Sequence, residues 1–596
     1  MYQSFEAATR PDQGPPRLAA LREELRAEGL SGFLVPRADQ HQGEYVAPCD
    51  ERLAWLTGFT GSAGFAIVLA DRAGIFVDGR YRVQVKAQVD TAHFTPVDWP
   101  ETKPGPWLKD ALPEGGAVGF DPWLHTAGEI EAMRTALKGT GVTLTPTANL
   151  VDRIWTDRPD RPAEPVCKYP KELAGAGDET KRARIAEALR EAGHRAAVLT
   201  LPDSICWLLN IRGNDIPRIP VTQAFGVVLD DGHLLLFSDV EKFTRLGPDP
   251  GIELAGWDSF EPALARLEGP VRVDRDSAPV AVSAALEAAG VEVVWEQDPC
   301  ILPKARKSAA EIDATVEAHL RDGAAMVEFL SWLDTAAPSG RLTEIDVVEA
   351  LEGFRRATGA LEDIAFETIA GSGPNGAVVH YRVTRESNRT ITPGDLLLVD
   401  SGGQYLDGTT DITRTVATGP VTEDQRAAFT RVLQGMIAIS RAHWPEGLAG
   451  RDLDALARIA LWQAGQDYDH GTGHGVGVYL SVHEGPQRLS RRSEVPLEPG
   501  MILSNEPGYY REGAYGIRIE NLVVVDRAPE GPDGRTMLAF RTLTLAPIDR
   551  RLIDATLLSA DDRAWLDDYH AEVARRLGPR LSAEARYWLE HAARPL

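Results

Sequence analysis

The stretch Leu397-Leu398-Val399-Asp400-Ser401-Gly402-Gly403, continued by Thr410-Asp411-Ile412-Thr413-Arg414, decides how the C-terminal half is built. An apolar strand ends there on a carboxylate, and a buried carboxylate is costly unless it is paired or bound to metal. A turn at Gly402-Gly403 lets the chain double back and bring Asp411 beside Asp400. Taken alone, two aspartates flanking a hairpin are more often turn formers than ligands. The residues that follow shift that balance.

Downstream lies His470-Gly471-Thr472-Gly473-His474-Gly475-Val476-Gly477, then His483-Glu484-Gly485-Pro486. Glycine at this density permits positive φ and close backbone approach, so imidazoles can project into one cavity. A single histidine is ordinarily a surface or hydrogen-bonded residue; three so close in a glycine-rich stretch point to a site. The run lacks the G-K-[ST] ending of a phosphate loop. Two acids follow on strand-like runs, Glu506 in Ser504-Asn505-Glu506-Pro507-Gly508-Tyr509 and Glu520 in Ile517-Arg518-Ile519-Glu520-Asn521. Strand alternation puts Ile517 and Ile519 on one face and Arg518 and Glu520 on the other, which by itself reads as a solvated polar face. Asp400, Asp411, Glu506, Glu520 and His474 together offer four carboxylates and an imidazole, a donor set for two adjacent divalent ions. Hard oxygen donors favour Mn²⁺, with Zn²⁺ or Co²⁺ as alternatives, and such a pair activates water and polarises a carbonyl.

Around this region the chain reads as α+β from residue 307 onward. Ser308…Glu311, Thr343…Asp346, Thr422…Gln425 and Ser559…Asp562 have capping-box spacing and predict four helix starts. Strand-like runs cover Leu396 to Val399, Asp411 to Val416, Met501 to Ser504 and Ile517 to Val525. The first half carries two similar α/β units. One holds Phe33-Leu34-Val35-Pro36, Leu53-Ala54-Trp55-Leu56 and Gly64 to Leu69; the other holds Val198 to Pro202, Ile205-Cys206-Trp207-Leu208 and Phe225 to Leu229. A Pro-rich stretch from Arg158 to Pro170 reads as the linker between them. The domains predicted are therefore 1–158, 159–306 and 307–596, with an extension from about residue 547.

Hydrophobic residues make up 43% and charged residues 25%, a globular balance, and the net charge is −25. That charge argues against a nucleic-acid partner, which requires concentrated Lys and Arg. Cys49, Cys167, Cys206 and Cys300 form no C-x-x-C pair, so neither a disulfide framework nor a thiolate metal site is expected. No apolar run approaches membrane-spanning length and the first thirty residues lack an apolar signal core, so a cytoplasmic protein is expected.

The order Asp400…Asp411…His474…Glu506…Glu520 resembles that of the pita-bread metallopeptidases: methionine aminopeptidase, prolidase and aminopeptidase P. The resemblance is closer to the large, three-domain cytosolic form of aminopeptidase P and extends over nearly the whole chain. It is carried also by His41 to Asp50, Trp155-Thr156-Asp157-Arg158-Pro159, Leu208 to Asp215, Gly373 to Tyr381 and Asn505 to Tyr510. Arg541 departs from it, since relatives carry an acidic residue there. The resemblance implies two tandem creatinase-N-terminal-like α/β domains followed by a pita-bread catalytic domain with an internal pseudo-twofold. It implies Asp400 on one ion, His474 and Glu506 on the other, Asp411 and Glu520 bridging, and Glu506 as general base. His380 and His483 would border the scissile bond, with His470 and Arg518 as supporting or proline-pocket residues. The implied reaction is hydrolysis of an N-terminal Xaa-Pro bond, in a homodimer whose C-terminal extension makes a subunit contact. A prolidase-type dipeptidase is the alternative enzyme, favoured less because such chains usually have one N-terminal domain. A metal-free creatinase-like hydrolase, or a non-catalytic binding protein on the same fold, is disfavoured by the intact donor set.

Overall fold

The computed structural model describes residues 1–596. Two compact units are present, Ala8–Lys304 and Met1–Ala7 with Ala305–Leu596.

The unit Ala8–Lys304 contains two six-stranded sheets of one topology. In the first, Gly32–Pro36 is central, antiparallel to Phe65–Leu69 and parallel to Gly116–Phe120; Ala73–Val77, Thr95–Asp98 and Val142–Pro146 complete it. In the second, Ala196–Leu199 takes the central place, antiparallel to Phe225–Leu229 and parallel to Val271–Val273, with Leu234–Phe237, Ile252–Ala255 and Val293–Trp295 outside. Strand order and direction match position for position, so the similarity seen in sequence is a repeated fold. The paired Trp-Leu segments lie on short helices, Arg52–Thr57 and Pro202–Leu209. Where the sheets adjoin, His41 is fully buried with Nδ1 2.9 Å from the Thr200 carbonyl oxygen, and Gln223 donates to Asp39 at 3.0 Å.

All four predicted capping boxes form, opening the helices Ala309–Ala336, Glu344–Ala357, Glu423–Ser440 and Ala560–Leu577. In each, the cap side chain satisfies an amide that the first helical turn leaves unpaired. A helix pair followed by strands occurs twice in this unit. Ala309–Ala336 and Glu344–Ala357 precede the sheet Ile369–Ser372, Leu396–Ser401, Ile412–Ala417; Glu423–Ser440 and Gly450–Trp462 precede the sheet holding Gly473–Gly475, Glu484–Leu489, Ile502–Asn505 and Asn521–Ala528. This is the internal repeat that the resemblance implies.

The run expected as one strand from Ile517 to Val525 is broken. Strand Tyr515–Arg518 pairs with Gly508–Arg511, the chain changes direction at Ile519-Glu520, and Asn521–Ala528 joins the larger sheet. Both faces are buried: Arg518 and Glu520 are each 1% exposed, so the expected solvated face is absent. Arg518 there meets a buried acid, Asp400, instead of water.

Met1–Ala7 packs with this unit, although the sequence reading groups it with the first domain. The Tyr2 amide donates to the Glu352 carboxylate at 2.9 and 3.0 Å, Gln3 exchanges hydrogen bonds with the Thr368 backbone, and Phe5 enters the core beside Leu333 and Val347. The helices Ala560–Leu577 and Ala583–Ala592 fold back through Leu566, Val573, Leu577 and Leu589 onto the core around Glu423–Ser440. Cys49, Cys206 and Cys300 are buried and Cys167 is exposed; none forms a disulfide.

Candidate metal centre

Asp400 lies near the end of strand Leu396–Ser401, opposite Thr413, and Asp411 immediately precedes the partner strand Ile412–Ala417. The reversal between them is not at Gly402-Gly403. The chain continues as Gly403–Tyr405, turns at Leu406-Asp407 and returns as Gly408–Thr409. Gly402 serves close approach: a Cβ there would lie 2.1 Å from the Thr410 carbonyl oxygen. Asp407 is held at the tip by Arg321, with two bonds of 2.9 Å.

Gly473, Gly475 and Gly477 also serve close approach, and no glycine of 470–477 has positive φ. A Cβ on Gly473 would lie 2.0 Å from the Ser504 carbonyl oxygen. This seats His474 against strand Ile502–Asn505, where its amide donates to Ser504 Oγ at 2.9 Å. His474 Nδ1 lies 2.9 Å from the Gly475 carbonyl oxygen, and because a carbonyl only accepts, Nδ1 carries a proton. Nε2 then faces Asp411 Oδ2 at 3.6 Å and Glu506 Oε1 at 3.5 Å. In the neutral ring three acceptors converge there, an arrangement that a cation offsets.

Glu520 is fixed through Thr413, whose hydroxyl donates to Oε2 at 2.8 Å while the Glu520 amide donates to the Thr413 carbonyl at 3.1 Å. Candidate ligand atoms of Asp411, His474 and Glu520 all lie within 4.8 Å of one another. Arg518 donates to Asp400 Oδ2 at 2.5 Å. The remaining oxygens, Asp400 Oδ1 and Glu520 Oε1, are buried with no hydrogen-bond partner. Burial first, then repulsion from Glu520, Asp400 and Glu506, pushes the Asp411 carboxyl well above its usual range, and Glu520 is raised similarly. Glu506 is pushed up to about 7, chiefly by burial, with Arg518 opposing the shift and Asp400 adding to it. One guanidinium does not balance four acids. The orphaned oxygens, the converging acceptors and the uncompensated charge fit divalent cations.

The other expected residues surround this cluster. The His483 ring meets the His474 ring edge-to-face at 4.3 Å between centroids. Its loop is held by Gln404, which donates to the Leu480 carbonyl at 2.8 Å, and by a buried ion pair between Lys307 and Glu484. His470 is one step removed: its Nε2 is 2.9 Å from Tyr510 Oη, which accepts from Arg518 at 2.6 Å. His380 is half-buried, and the carbonyl of its neighbour Val379 accepts from Arg518 at 3.3 Å. Arg541 pairs with Asp526 at 2.5 Å, between neighbouring strands and with both side chains exposed.

Sequence reasoning missed Tyr510, Thr413 and Ser504, although all three lie inside or beside the quoted stretches. It also missed Arg355, 1% exposed, which binds Asp322 through two nitrogens at 2.8 and 3.1 Å and reaches the Ser401 carbonyl at 3.4 Å. An arginine in the last turn of helix Glu344–Ala357, next to Arg356, gives no local sign that it ends under the Asp400 strand.

Comparison with known proteins agrees with this geometry. Residues 313–527 match the model of metallopeptidase family M24 and 536–596 that of its C-terminal region. Residues 17–154 and 157–311 each match a creatinase/prolidase N-terminal domain. The chain belongs to metallopeptidase family M24. Aminopeptidase P2 of Arabidopsis thaliana is 38% identical over 95% of this chain and 86% of its own length. The protein named "Probable Xaa-Pro aminopeptidase P" of Coccidioides posadasii is 38% identical over 100% of this chain and 95% of its own. The crystal structure of X-prolyl aminopeptidase from Caenorhabditis elegans, described as a cytosolic enzyme with a di-nuclear active site, superposes with a TM-score of 0.93. It is 33% identical and covers 98% of this chain and 100% of its own.

Proposed function

We propose that this chain is a two-metal aminopeptidase that removes the residue preceding an N-terminal Xaa-Pro bond. The observation that carries the reading is the convergence of His474 Nε2 with the acids Asp411, Glu506 and Glu520, beside an Asp400 whose second oxygen has no partner. Asp400, Asp411, His474, Glu506 and Glu520 would hold two divalent ions. Mn²⁺ suits the oxygen-rich set best, with Zn²⁺ and Co²⁺ as alternatives. Bound there, such ions supply Lewis-acid polarisation of the scissile carbonyl and of the attacking water.

The chain's own groups do the rest. Glu506, the most open of the acids at 18% side-chain exposure, takes the proton of the attacking water at its carboxylate oxygen and passes it to the departing proline nitrogen. That nitrogen departs as an amine, so the leaving group needs a proton donor. His483 and His380 hydrogen-bond the substrate and the oxyanion as it develops. Arg518 has its nitrogens committed to Asp400, Tyr510, Thr413 and the Val379 carbonyl. We therefore assign it the holding of Asp400, with His470 supporting it through Tyr510.

The Xaa-Pro preference is supported by the names of full-length relatives, and two N-terminal domain matches favour an aminopeptidase over a dipeptidase. The apolar residues of the C-terminal extension pack on their own unit, so we assign the homodimer contact instead to an apolar stripe of helix Gly450–Trp462, where Leu456, Ile459 and Trp462 are 40, 52 and 43% exposed. A cytoplasmic location is supported by the free thiols and by the cytosolic description of the neighbour; no helix is long and apolar enough to cross a membrane. The test is mass spectrometry of a peptide panel with Mn²⁺-loaded protein. Release of Xaa from Xaa-Pro-Yaa, slow cleavage of Xaa-Ala-Yaa and inert N-acetylated peptides are expected. Comparable cleavage of Xaa-Ala-Yaa would overturn the proline specificity. Cleavage confined to Xaa-Pro dipeptides would install the dipeptidase alternative.

A further inference from the structure

Glu344 is fully buried, opens helix Glu344–Ala357 and faces no cation within ion-pair distance. Its carboxylate instead collects neutral donors from a single segment. The Ser372 amide reaches Oε1 at 2.7 Å; the Asn375 side-chain amide reaches both oxygens at 3.1 and 3.0 Å; the Tyr381 hydroxyl reaches Oε2 at 2.8 Å; the Arg389 amide reaches Oε2 at 3.2 Å. The Arg389 guanidinium turns away, to Asp395 at 3.2 Å and the Ser372 carbonyl at 3.1 Å. The helix N-terminus favours the charge, and a carboxylate holding this many donors fixes their relative positions tightly.

The segment so gathered, 372–389, contains His380. Its far side is set by the site itself: Val379 O accepts from the Arg518 that holds Asp400, and the Gly376 and Gly516 backbones touch so closely that a Cβ on Gly516 would lie 1.7 Å from Gly376 O. His380 is thus suspended between two fixed ends, Arg518 through Val379 and Glu344 through Tyr381. We propose that Glu344 is a positioning residue for the reaction, its carboxylate holding 372–389 in the arrangement that presents His380 to the substrate carbonyl. This rests on the role given to His380 above.

Glu344→Gln keeps the shape but turns an N–H₂ toward the backbone amide of Ser372 or Arg389, which only donates. With Xaa-Pro-Yaa as probe and Mn²⁺ present, it should lower kcat by roughly 10- to 100-fold, the cost of a displaced contact group. KM should change by less than about threefold, because the His380 contact is lost in the transition state rather than in binding. Bound metal per chain should equal wild type. The deciding readout is a double-mutant cycle: Glu344→Gln with His380→Ala should be no slower than His380→Ala alone, because both remove one function. Tyr381→Phe, which keeps the other donors, should give a smaller loss and the same non-additivity. It carries the cycle if Glu344→Gln does not fold. Losses that multiply, loss of metal from Glu344→Gln, a wild-type rate in Glu344→Gln, or a wild-type rate in His380→Ala would each overturn the proposal. A wild-type protein that leaves Xaa-Pro-Yaa intact would instead bring down the functional reading itself, before any variant is compared.

Discussion

Removing one acid from the cluster should make the metal-free protein more stable and the metal-loaded protein less stable. Glu520→Gln isolates this effect, since the amide keeps the volume and its oxygen can still accept from Thr413. Asp411 and Glu520 place oxygen atoms within 4.8 Å of each other. Two unit charges at that distance repel by about 3.5 kcal/mol at an effective dielectric of 20. The protein evades part of this by protonation, because both carboxyls are raised well above their usual range. A raised folded-state pKa gives stability that is fully present at acid pH, below the ordinary carboxylate range. That stability is lost as pH climbs through the raised value. Without metal, wild type should therefore lose stability from about pH 5 toward pH 8, whereas Glu520→Gln should lose less and overtake it by about 1–3 kcal/mol at pH 8. Excess Mn²⁺ should reverse the order. Thermal unfolding by scanning fluorimetry, with chelator or Mn²⁺ at pH 5.5, 7 and 8.5, reads all six conditions. A metal-free Glu520→Gln that melts below wild type at pH 8.5, or a variant that gains as much from Mn²⁺ as wild type does, would refute the reasoning.

Three further outcomes follow from other parts of the chain. His570 is fully buried, accepts from the Ile548 amide through Nε2 at 3.0 Å and is pushed down to about 3, first by burial and then by Arg414 and Arg550. A depressed histidine stabilises above its ordinary value of about 6.5 and loses that contribution as pH falls toward 3. About 2 kcal/mol should vanish by pH 5, and the gap in chelated unfolding midpoint between wild type and His570→Gln should narrow between pH 7.5 and 5. Phe5→Ala should cost about 3 kcal/mol, because Phe5 is 7% exposed in the core of the last unit; an unchanged urea midpoint would mean that the N-terminal segment is detached in solution. Trp462→Glu should shift light scattering from dimer to monomer mass at micromolar concentration, and a persisting dimer would move the interface elsewhere.

Much of the last unit is legible in local sequence because its signals are local. A capping box needs two residues three apart, and all four predicted ones open helices. Two residues of the cluster stand out for a similar reason: Asp400 ends an apolar run and His474 sits in a glycine-rich one. What local reading misplaces is the purpose of the glycines. Gly402 and Gly473 permit backbone contact with Thr410 and Ser504, partners that only the fold supplies, so the predicted reversal fell at the wrong dipeptide. Alternation along 517–520 suggested a wet face, yet Arg518 is buried against Asp400, a partner 118 positions away. Lys307, Glu344 and Arg355 were invisible for the same reason: their partners lie at 484, 372–389 and 322. Charges that will be buried look identical in sequence to charges that will be solvated, and only long-range pairing distinguishes them.

The proposed chemistry depends on two ions held among Asp400, Asp411, His474, Glu506 and Glu520. A crystal of the Mn²⁺-loaded protein, measured near the manganese edge, tests this directly. Two anomalous peaks about 3.5–4 Å apart within reach of those five side chains are the predicted result; a single peak there, or peaks only elsewhere, would contradict it.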